Sequence, residues 1–271
     1  MKWYQKYLST YNKPFNSIHK SIKEEIKSNL AAICGQNPLA SLVIIAYNEE
    51  QRITSCIWSL SCQLCNFPIE IICIDNNSTD ETAQIANIFG VKCFKENKPG
   101  PGYARDRGLK EAKGKYYICI DADTIYPPDY VEIMVKKLRK NCVIAVSSSY
   151  GFIPLDGYRR NYMVFYELLR DIYHLFLSIK SPELCVRGSV FAHYTAEALE
   201  IGYRGDLKRG EDGMMALELM KKGRLIFVRA RRARAMTSPL SLEKDGDFFY
   251  GFRKRVISSA KRLFRGLFKK L

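Results

Sequence analysis

Apolar residues along the chain come in short runs, each closed by a polar cluster. Residues 41–47, SLVIIAY, form a continuous apolar run with β-branched side chains, the pattern of a strand buried on both faces. Residues 48–63 then carry Ile53, Ile57, Trp58 and Leu60 along one side, which predicts a helix. IEIICI at 69–74 reads as a second buried strand, and the following DNNSTDET offers Ser78 or Thr79 as the cap of a helix running through Ile85 and Ile88. A short strand at 91–94, a KPGPG loop at 98–102, a helix at 103–113 stopped by Gly114 and a strand at 116–120 complete the regular part. The second half is less periodic. Helices are expected at 127–140, 161–179 and 211–222, and strands at 143–147 and 224–235, with no internal repeat.

Strands alternating with helices of this length predict βαβ units and a mainly parallel, Rossmann-like sheet flanked by helices. In such sheets ligands sit beyond the carboxyl ends of the strands. Asn48–Glu49, Asp75–Ser78 and Asp121–Asp123 each directly follow an expected strand, so all three converge on one edge. The expected organisation is an N-terminal helical arm over 1–38, with a weak helix at 18–33. A central unit follows over 39–240, divided into halves at 39–125 and 126–240. A basic helix then occupies 241–271.

Composition adds charge to this picture. Of 271 residues, 47% are hydrophobic and 26% charged, which excludes disorder as the main state. The 43 basic residues outnumber 28 acidic ones for a net charge of +15, implying a partner that carries phosphate. No window reaches the roughly 18 apolar residues of a bilayer span. The opening MKWYQKYLST has no apolar signal core, so export is not expected. Nine cysteines include one CxxC, Cys62 and Cys65, without a second pair to complete a zinc site, so reduced thiols are expected.

Asp121 and Asp123 stand two apart at a strand end. On extended backbone such side chains share a face, and two carboxylates there fit a divalent cation whose shell is filled by water and phosphate. Solvated turn aspartates would give the same string. Four motifs in order, SLVIIAYNEE, IDNNSTDET, GYARDRGLKEAKGKYYICIDADT and RGEDG, resemble the family 2 glycosyltransferases of GT-A fold over about residues 39–240. The resemblance implies an inverting transfer of a sugar from a nucleoside-diphosphate sugar, most often a UDP-sugar, with Mg²⁺ or Mn²⁺, and makes 39–125 the nucleotide-sugar-binding half and 126–240 the acceptor-side half. It implies that Ala46, Tyr47, Asn48 and Glu49 line the nucleotide pocket, with Asp75 and Asn77 at the base. Asp121 and Ala122 would lie at the ribose, Asp121 and Asp123 at the metal, and Asp212, beside Glu211, would be the catalytic base. Glu211 and Asp212 also suit the first turn of a helix by its dipole alone, and Asp75 suits a turn.

Lys98 and Arg105 are candidates for the diphosphate, although the family often has Arg-Asn where this chain has Arg105-Asp106; a solvated basic face fits the same residues. Residues 185–194, CVRGSVFAHY, resemble the acceptor-side loop, with Arg187, Gly188 and Ser189 as candidates. His193 is a lone imidazole that fits a metal ligand or a structural role. Arg229, Arg231, Arg232 and Arg234 fit phosphate binding or one exposed strand face with its edge. Residues 248–271 carry eight basic and no acidic residues around a stripe that includes Phe252, Val256, Leu263, Phe264 and Leu267. That pattern reads as a helix lying on an anionic membrane, or docked on the protein's own core. The expected setting is the cytoplasmic face of the plasma membrane, with a lipid-linked or surface-glycan acceptor and no nucleic acid. A nucleotidyltransferase using the same carboxylate–metal site, and a basic nucleic-acid-binding protein, are the alternatives.

Overall fold

The computed structural model describes residues 2–155, 160–207 and 209–240. The expected basic helix at 241–271 lies outside the described residues. Helix α1 (Lys20–Ile33) is followed by β1 (Ala40–Ala46), α2 (Ile53–Ser61), β2 (Ile69–Asp75), α3 (Thr82–Ile88), β3 (Lys92–Lys95), α4 (Pro101–Glu111) and β4 (Tyr116–Asp121). The second half contains β5 (Thr124–Ile125), α5 (Tyr130–Leu138), β6 (Val143–Ser148), β7 (Tyr150–Phe152), α6 (Arg160–Lys180) and β8 (Phe191–Tyr194). It continues through α7 (Thr195–Ile201), α8 (Glu211–Leu219), β9 (Arg224–Val228) and β10 (Ala235–Thr237).

Seven strands form one sheet in the order β3-β2-β1-β4-β8-β6-β9. All its pairs are parallel except those of β8, which runs antiparallel between β4 and β6. The apolar run of β1 earns its central place: Leu42, Val43 and Ile44 are fully buried between the two helical layers, each worth about 1.5–3 kcal/mol. A second sheet, β5-β10-β7, sits beyond the end of β4. Register decides what the carboxyl edge presents. Ala46 pairs with Asp75 and Ile45 with Asp121, so the polar ends of three strands lie side by side.

Several expected elements are shorter or broken. The helix expected from 48 begins at Ile53, because Asn48 adopts left-handed backbone (φ 54°) and residues 48–50 are tied to the next loop. Asn48 Oδ1 accepts from Thr79 N at 2.8 Å, Glu49 N donates to Thr82 Oγ1 at 2.8 Å, and Glu81 N donates to Glu50 Oε2 at 3.1 Å. Helix α3 begins later than Ser78 or Thr79; Asp80 Oδ1 takes the first amide, Thr82 N, at 3.0 Å. The strand expected at 224–235 is two strands in different sheets, separated by a 3₁₀ turn at Arg231–Ala233. Its arginines therefore share no face. Arg232 pairs with Asp129 at 2.6 Å, Arg234 with Glu167 and Asp171, and Arg229 reaches Ser178.

The N-terminal segment packs on α2. Tyr7 is fully buried and meets the Trp58 ring edge-on at 5.2 Å, and Trp58 Nε1 donates to Glu25 at 3.0 Å. All nine cysteines are unpaired. No described helix is long and apolar enough to cross a membrane.

Candidate active site

The strand ends open onto two adjoining cavities. The smaller, about 460 Å³, is lined by Ala46, Tyr47, Asn77 and the 99–101 turn. The larger, about 610 Å³, holds Glu49, Asp121, Ala122, Asp123, Arg187, Glu211 and Asp212. Ile45, Tyr47 and Pro101 border both, so they form one continuous cleft.

In the smaller cavity the loop of residues 96–100 is held from below by Asn76. Its Nδ2 donates to the carbonyls of Glu96 (3.0 Å) and Lys98 (2.7 Å), and its Oδ1 accepts from Gly100 N at 2.8 Å. Asn77 takes left-handed backbone, and its Nδ2 is buried without a hydrogen-bond partner there. Asp75 is buried at the strand end and accepts from Ser78 N, a turn contact. Asn48 lines neither cavity, being spent on the neighbouring loop. Lys98 is exposed, with its ammonium 5.5 Å from the Tyr103 ring.

Asp121 ends β4, and Asp123 stands in the tight turn that follows, so turn geometry rather than an extended i, i+2 spacing brings them together. Asp123 Oδ1 accepts from Thr124 Oγ1 at 2.9 Å and from Thr237 Oγ1 at 3.3 Å, while Tyr11 Oη donates to its carbonyl at 2.8 Å. Burial, and then the charge of Asp121, pushes the Asp123 carboxyl above its usual range. Glu49, paired with Arg52 at 2.5 Å, is pushed up to about 8, by burial first and then by Asp123. The three crowded carboxylates are met by Arg52 on Glu49, by Arg105 on Asp121 and by the charge of Arg187 near Asp123. Among the described residues no cluster of three or more His, Cys, Asp or Glu has metal-site geometry. The Asp121–Asp123 pair nevertheless supplies the hard oxygen donors that Mg²⁺ or Mn²⁺ accepts when substrate phosphates and water complete the shell. The residues present therefore fit the cation.

Arg105 departs from its expected role. It is 1% exposed and is consumed by the protein: Nη1 donates to Ile120 O at 3.2 Å and Nη2 to Asp121 Oδ1 at 2.6 Å, while Nε faces Asp212 Oδ1 at 3.5 Å. It is thus a buried cation bridging two carboxylates, at the wall of the larger cavity. Arg187 and Arg209 line the cleft beside it. The Arg187 guanidinium lies 4.7 Å from the Tyr150 ring and donates to its hydroxyl at 3.0 Å.

Gly210, at φ 91°, starts α8 and places Glu211 and Asp212 in its first turn. A helix N-terminus favours a charged carboxylate, and Arg105 does too. Burial outweighs both, and with Glu211 beside it Asp212 is raised to about 7. Its Oδ1 has no hydrogen-bond partner beyond the long approach to Arg105. Such a carboxyl can take a proton near neutral pH. Gly188 presses its backbone against this pair, and Ser189 is buried behind it, its carbonyl accepting from Tyr126 Oη at 2.8 Å.

His193 is structural. It is buried between Tyr117 and Phe191, its Nε2 is 3.0 Å from Tyr203 Oη, and burial lowers it to about 4. His174 was invisible to sequence patterning yet lines the cleft from α6, likewise lowered to about 4 by burial and Arg170. Tyr11, Tyr150 and Arg52 left no sequence signal. Arg209 is the first residue of the RGEDG motif, of which the sequence pattern pointed only to Glu211 and Asp212.

Residues 41–201 match the profile of glycosyl transferase family 2. The glycosyltransferase GlyG of Streptococcus pneumoniae is 28% identical over 126 residues, 44% of this chain and 42% of that protein. The chain thus matches less than half the length of that relative. A mannosyltransferase from Pyrobaculum calidifontis, solved with GDP-Man and Mn²⁺, superposes with a TM-score of 0.59 at 18% identity, covering 87% of this chain and 68% of that one. Glucosyl-3-phosphoglycerate synthase from Mycobacterium tuberculosis, solved with Mn²⁺, UDP-glucose and phosphoglyceric acid, gives 0.56 at 21% identity, covering 88% and 83%. At these identities the two structures share the GT-A fold with this chain.

Proposed function

This chain belongs to glycosyl transferase family 2, and from that premise we propose that it transfers a sugar, with inversion, from a nucleoside-diphosphate sugar to an acceptor hydroxyl. The observation that carries the reading is Asp212. It is a buried carboxyl poised near neutrality, and it opens into the same cleft as Asp121 and Asp123.

The nucleoside lies in the smaller cavity against Ala46, Tyr47 and Asn77, with Asp75 on the adjoining strand end and Lys98 on the adjoining loop; uracil is the base we expect. Asp121 and Ala122 sit at the ribose, and Asp121 and Asp123, with Glu49 close by, would hold Mg²⁺ or Mn²⁺. When bound, that cation neutralises charge developing on the leaving diphosphate. Arg187 and Arg209 offer further positive charge along the cleft wall.

Inversion needs one displacement, with the acceptor hydroxyl attacking opposite the leaving group and losing its proton as the bond forms. The Asp212 carboxylate takes that proton; burial raises its basicity, Arg105 opposes the rise and Glu211 adds to it. Arg105 also ties the base to the donor-side Asp121, so the two poles of the reaction keep a fixed spacing. The acceptor is a lipid-linked or surface glycan, and the reaction runs at the cytoplasmic face of the membrane.

The test is incubation with UDP- and GDP-sugars, with Mn²⁺ and Mg²⁺, scored by thermal shift and by product. Nucleoside diphosphate release and an inverted anomer are expected. Pyrophosphate release would instead mean nucleotidyl transfer, and the absence of any nucleotide-sugar shift would remove the reading altogether.

A further inference from the structure

Helix α6 is apolar on its outer face as well as on its inner one, where Met163, Tyr166 and Leu177 are buried. The charged side chains in its middle face the protein: Arg170 Nη2 donates to Tyr150 O at 2.5 Å, Glu167 Oε1 accepts from Phe152 N at 2.7 Å, and Arg234 spans Glu167 and Asp171 at 2.9 and 2.5 Å. The opposite face presents Tyr162, Phe165, Leu168, Ile172, Phe176 and Ile179, which are between 46% and 75% exposed. Steps of three and four residues put these six on one stripe. A helix of a water-facing surface keeps its outer face polar. Among the described residues, α6 rests on the Pro182–Cys185 turn and β7 through its inner side. An exposed apolar stripe of this length marks an interaction surface.

Charge selects the occupant. Both acids of α6 are turned inward, so the outer face carries none. Its ends carry exposed cations, Arg160 and Lys180. Exposed Arg229 adds a third near the carboxyl end, donating to Ser178 Oγ and, at 3.4 Å, to Leu175 O. An apolar protein groove would satisfy the stripe but leave these cations unmatched. An anionic lipid surface meets both, with the stripe among acyl chains and the basic ends reaching headgroups.

We propose that the outer face of α6 docks the protein on an anionic bilayer, with the stripe from Tyr162 to Ile179 lying in the headgroup–acyl boundary. His174, on the inner side of the same helix, lines the catalytic cleft. Docking therefore sets the acceptor side of the cleft about one helix diameter, roughly 10 Å, from the lipid. That distance suits an acceptor whose own apolar tail stays in the membrane. This last step rests on the proposed glycosyl transfer; the docking does not.

The experiment is sedimentation of the full chain, without substrate, on phosphatidylcholine vesicles with and without phosphatidylglycerol. The triple variant Phe165→Ser, Leu168→Ser, Phe176→Ser is compared with the wild type, and Phe176→Ser alone serves if the triple variant does not fold. The triple variant is expected to partition about 100-fold less, equivalent to about 2.8 kcal/mol, with its melting temperature and nucleotide-sugar thermal shift unchanged. Wild-type binding should weaken at high salt without vanishing. Equal sedimentation of wild type and variant would overturn the proposal and assign lipid binding to another surface, residues 248–271 among them. A wild-type dimer that the variant disperses would make the stripe a contact between copies. A lower melting temperature of the variant without lipid would mean that the stripe packs on this chain itself. A failed nucleotide-sugar shift in the wild type would sink the transferase reading while leaving the vesicle result standing.

Discussion

Gly188 has no room for a side chain, and the reason is catalytic. A β-carbon there would lie 2.4 Å from Arg105 Nη2 and 2.4 Å from Asp212 Oδ2. Ordinary contact is about 3.5 Å, so Gly188→Ala must drive the neighbours back by about 1 Å. Arg105 cannot retreat without breaking its bonds to Ile120 and Asp121. The displacement therefore falls on Asp212 or on the Gly188–Val190 turn. Moving a reacting group by about 1 Å costs on the order of 10²-fold, and overpacking a buried site costs about 1–3 kcal/mol. At about 2–4 °C per kcal/mol for a chain of this size, melting should fall by roughly 2–12 °C. The assay is nucleoside diphosphate release at saturating donor and acceptor, with donor affinity measured separately by thermal shift. A fall of about 10²-fold in kcat with donor affinity retained is expected. Gly213→Ala is the matched control. Its β-carbon would meet only Glu183 O at an ordinary 3.6 Å, and alanine is favoured over glycine within a helix by about 0.5–1 kcal/mol. It should keep its activity and melt no lower. A folded Gly188→Ala enzyme within a few-fold of wild-type kcat would refute the placement of Arg105 and Asp212 around this glycine.

Asp212→Asn should retain donor binding and lose about 10²–10⁴-fold in turnover, the usual worth of a general base. Turnover of the unaltered protein should rise with pH through about 7, where Asp212 sheds its proton. Stability carries the opposite sign: the folded-state value lies above the unfolded one, so the folded protein holds the extra proton and stability declines as pH rises from about 4 to 7. Asp212→Asn should flatten that decline in pH-dependent melting, and an unchanged slope would contradict the burial argument. Asp123→Ala should abolish the Mn²⁺-dependent part of the nucleotide-sugar thermal shift yet leave the fold intact; an undiminished Mn²⁺ effect would move the metal elsewhere. Tyr11→Phe removes the hydroxyl that holds the Asp123 carbonyl at 2.8 Å, and should cost about 0.5–1.5 kcal/mol and weaken Mn²⁺ affinity. Loss of stability alone, with Mn²⁺ affinity unchanged, would reduce Tyr11 to a packing residue.

Alternation of apolar runs with amphipathic stretches determined the central sheet from the sequence alone, because strands buried on both faces must be nearly all apolar. Polar clusters directly after three such runs determined that Tyr47, Asp75 and Asp121 meet at one edge, since parallel strands share a carboxyl end. Pattern alone did not reveal that β8 enters the sheet antiparallel. Its four residues are too few for periodicity, and its place depends on β4 and β6, distant in the chain. Nor did it reveal what becomes of a charge once folded. Arg105 reads as one more basic residue on a helix; only packing shows it buried between Asp121 and Asp212. The Thr237–Asp123 and Tyr11–Asp123 contacts join segments more than a hundred residues apart, and no local pattern encodes such pairs. The exposed apolar stripe of α6 was hidden for the same reason. Its 3.6-residue period identified a helix but could not say which stripe faces in, because that is settled by the partners Tyr150, Phe152 and Arg234 that folding brings to its polar side.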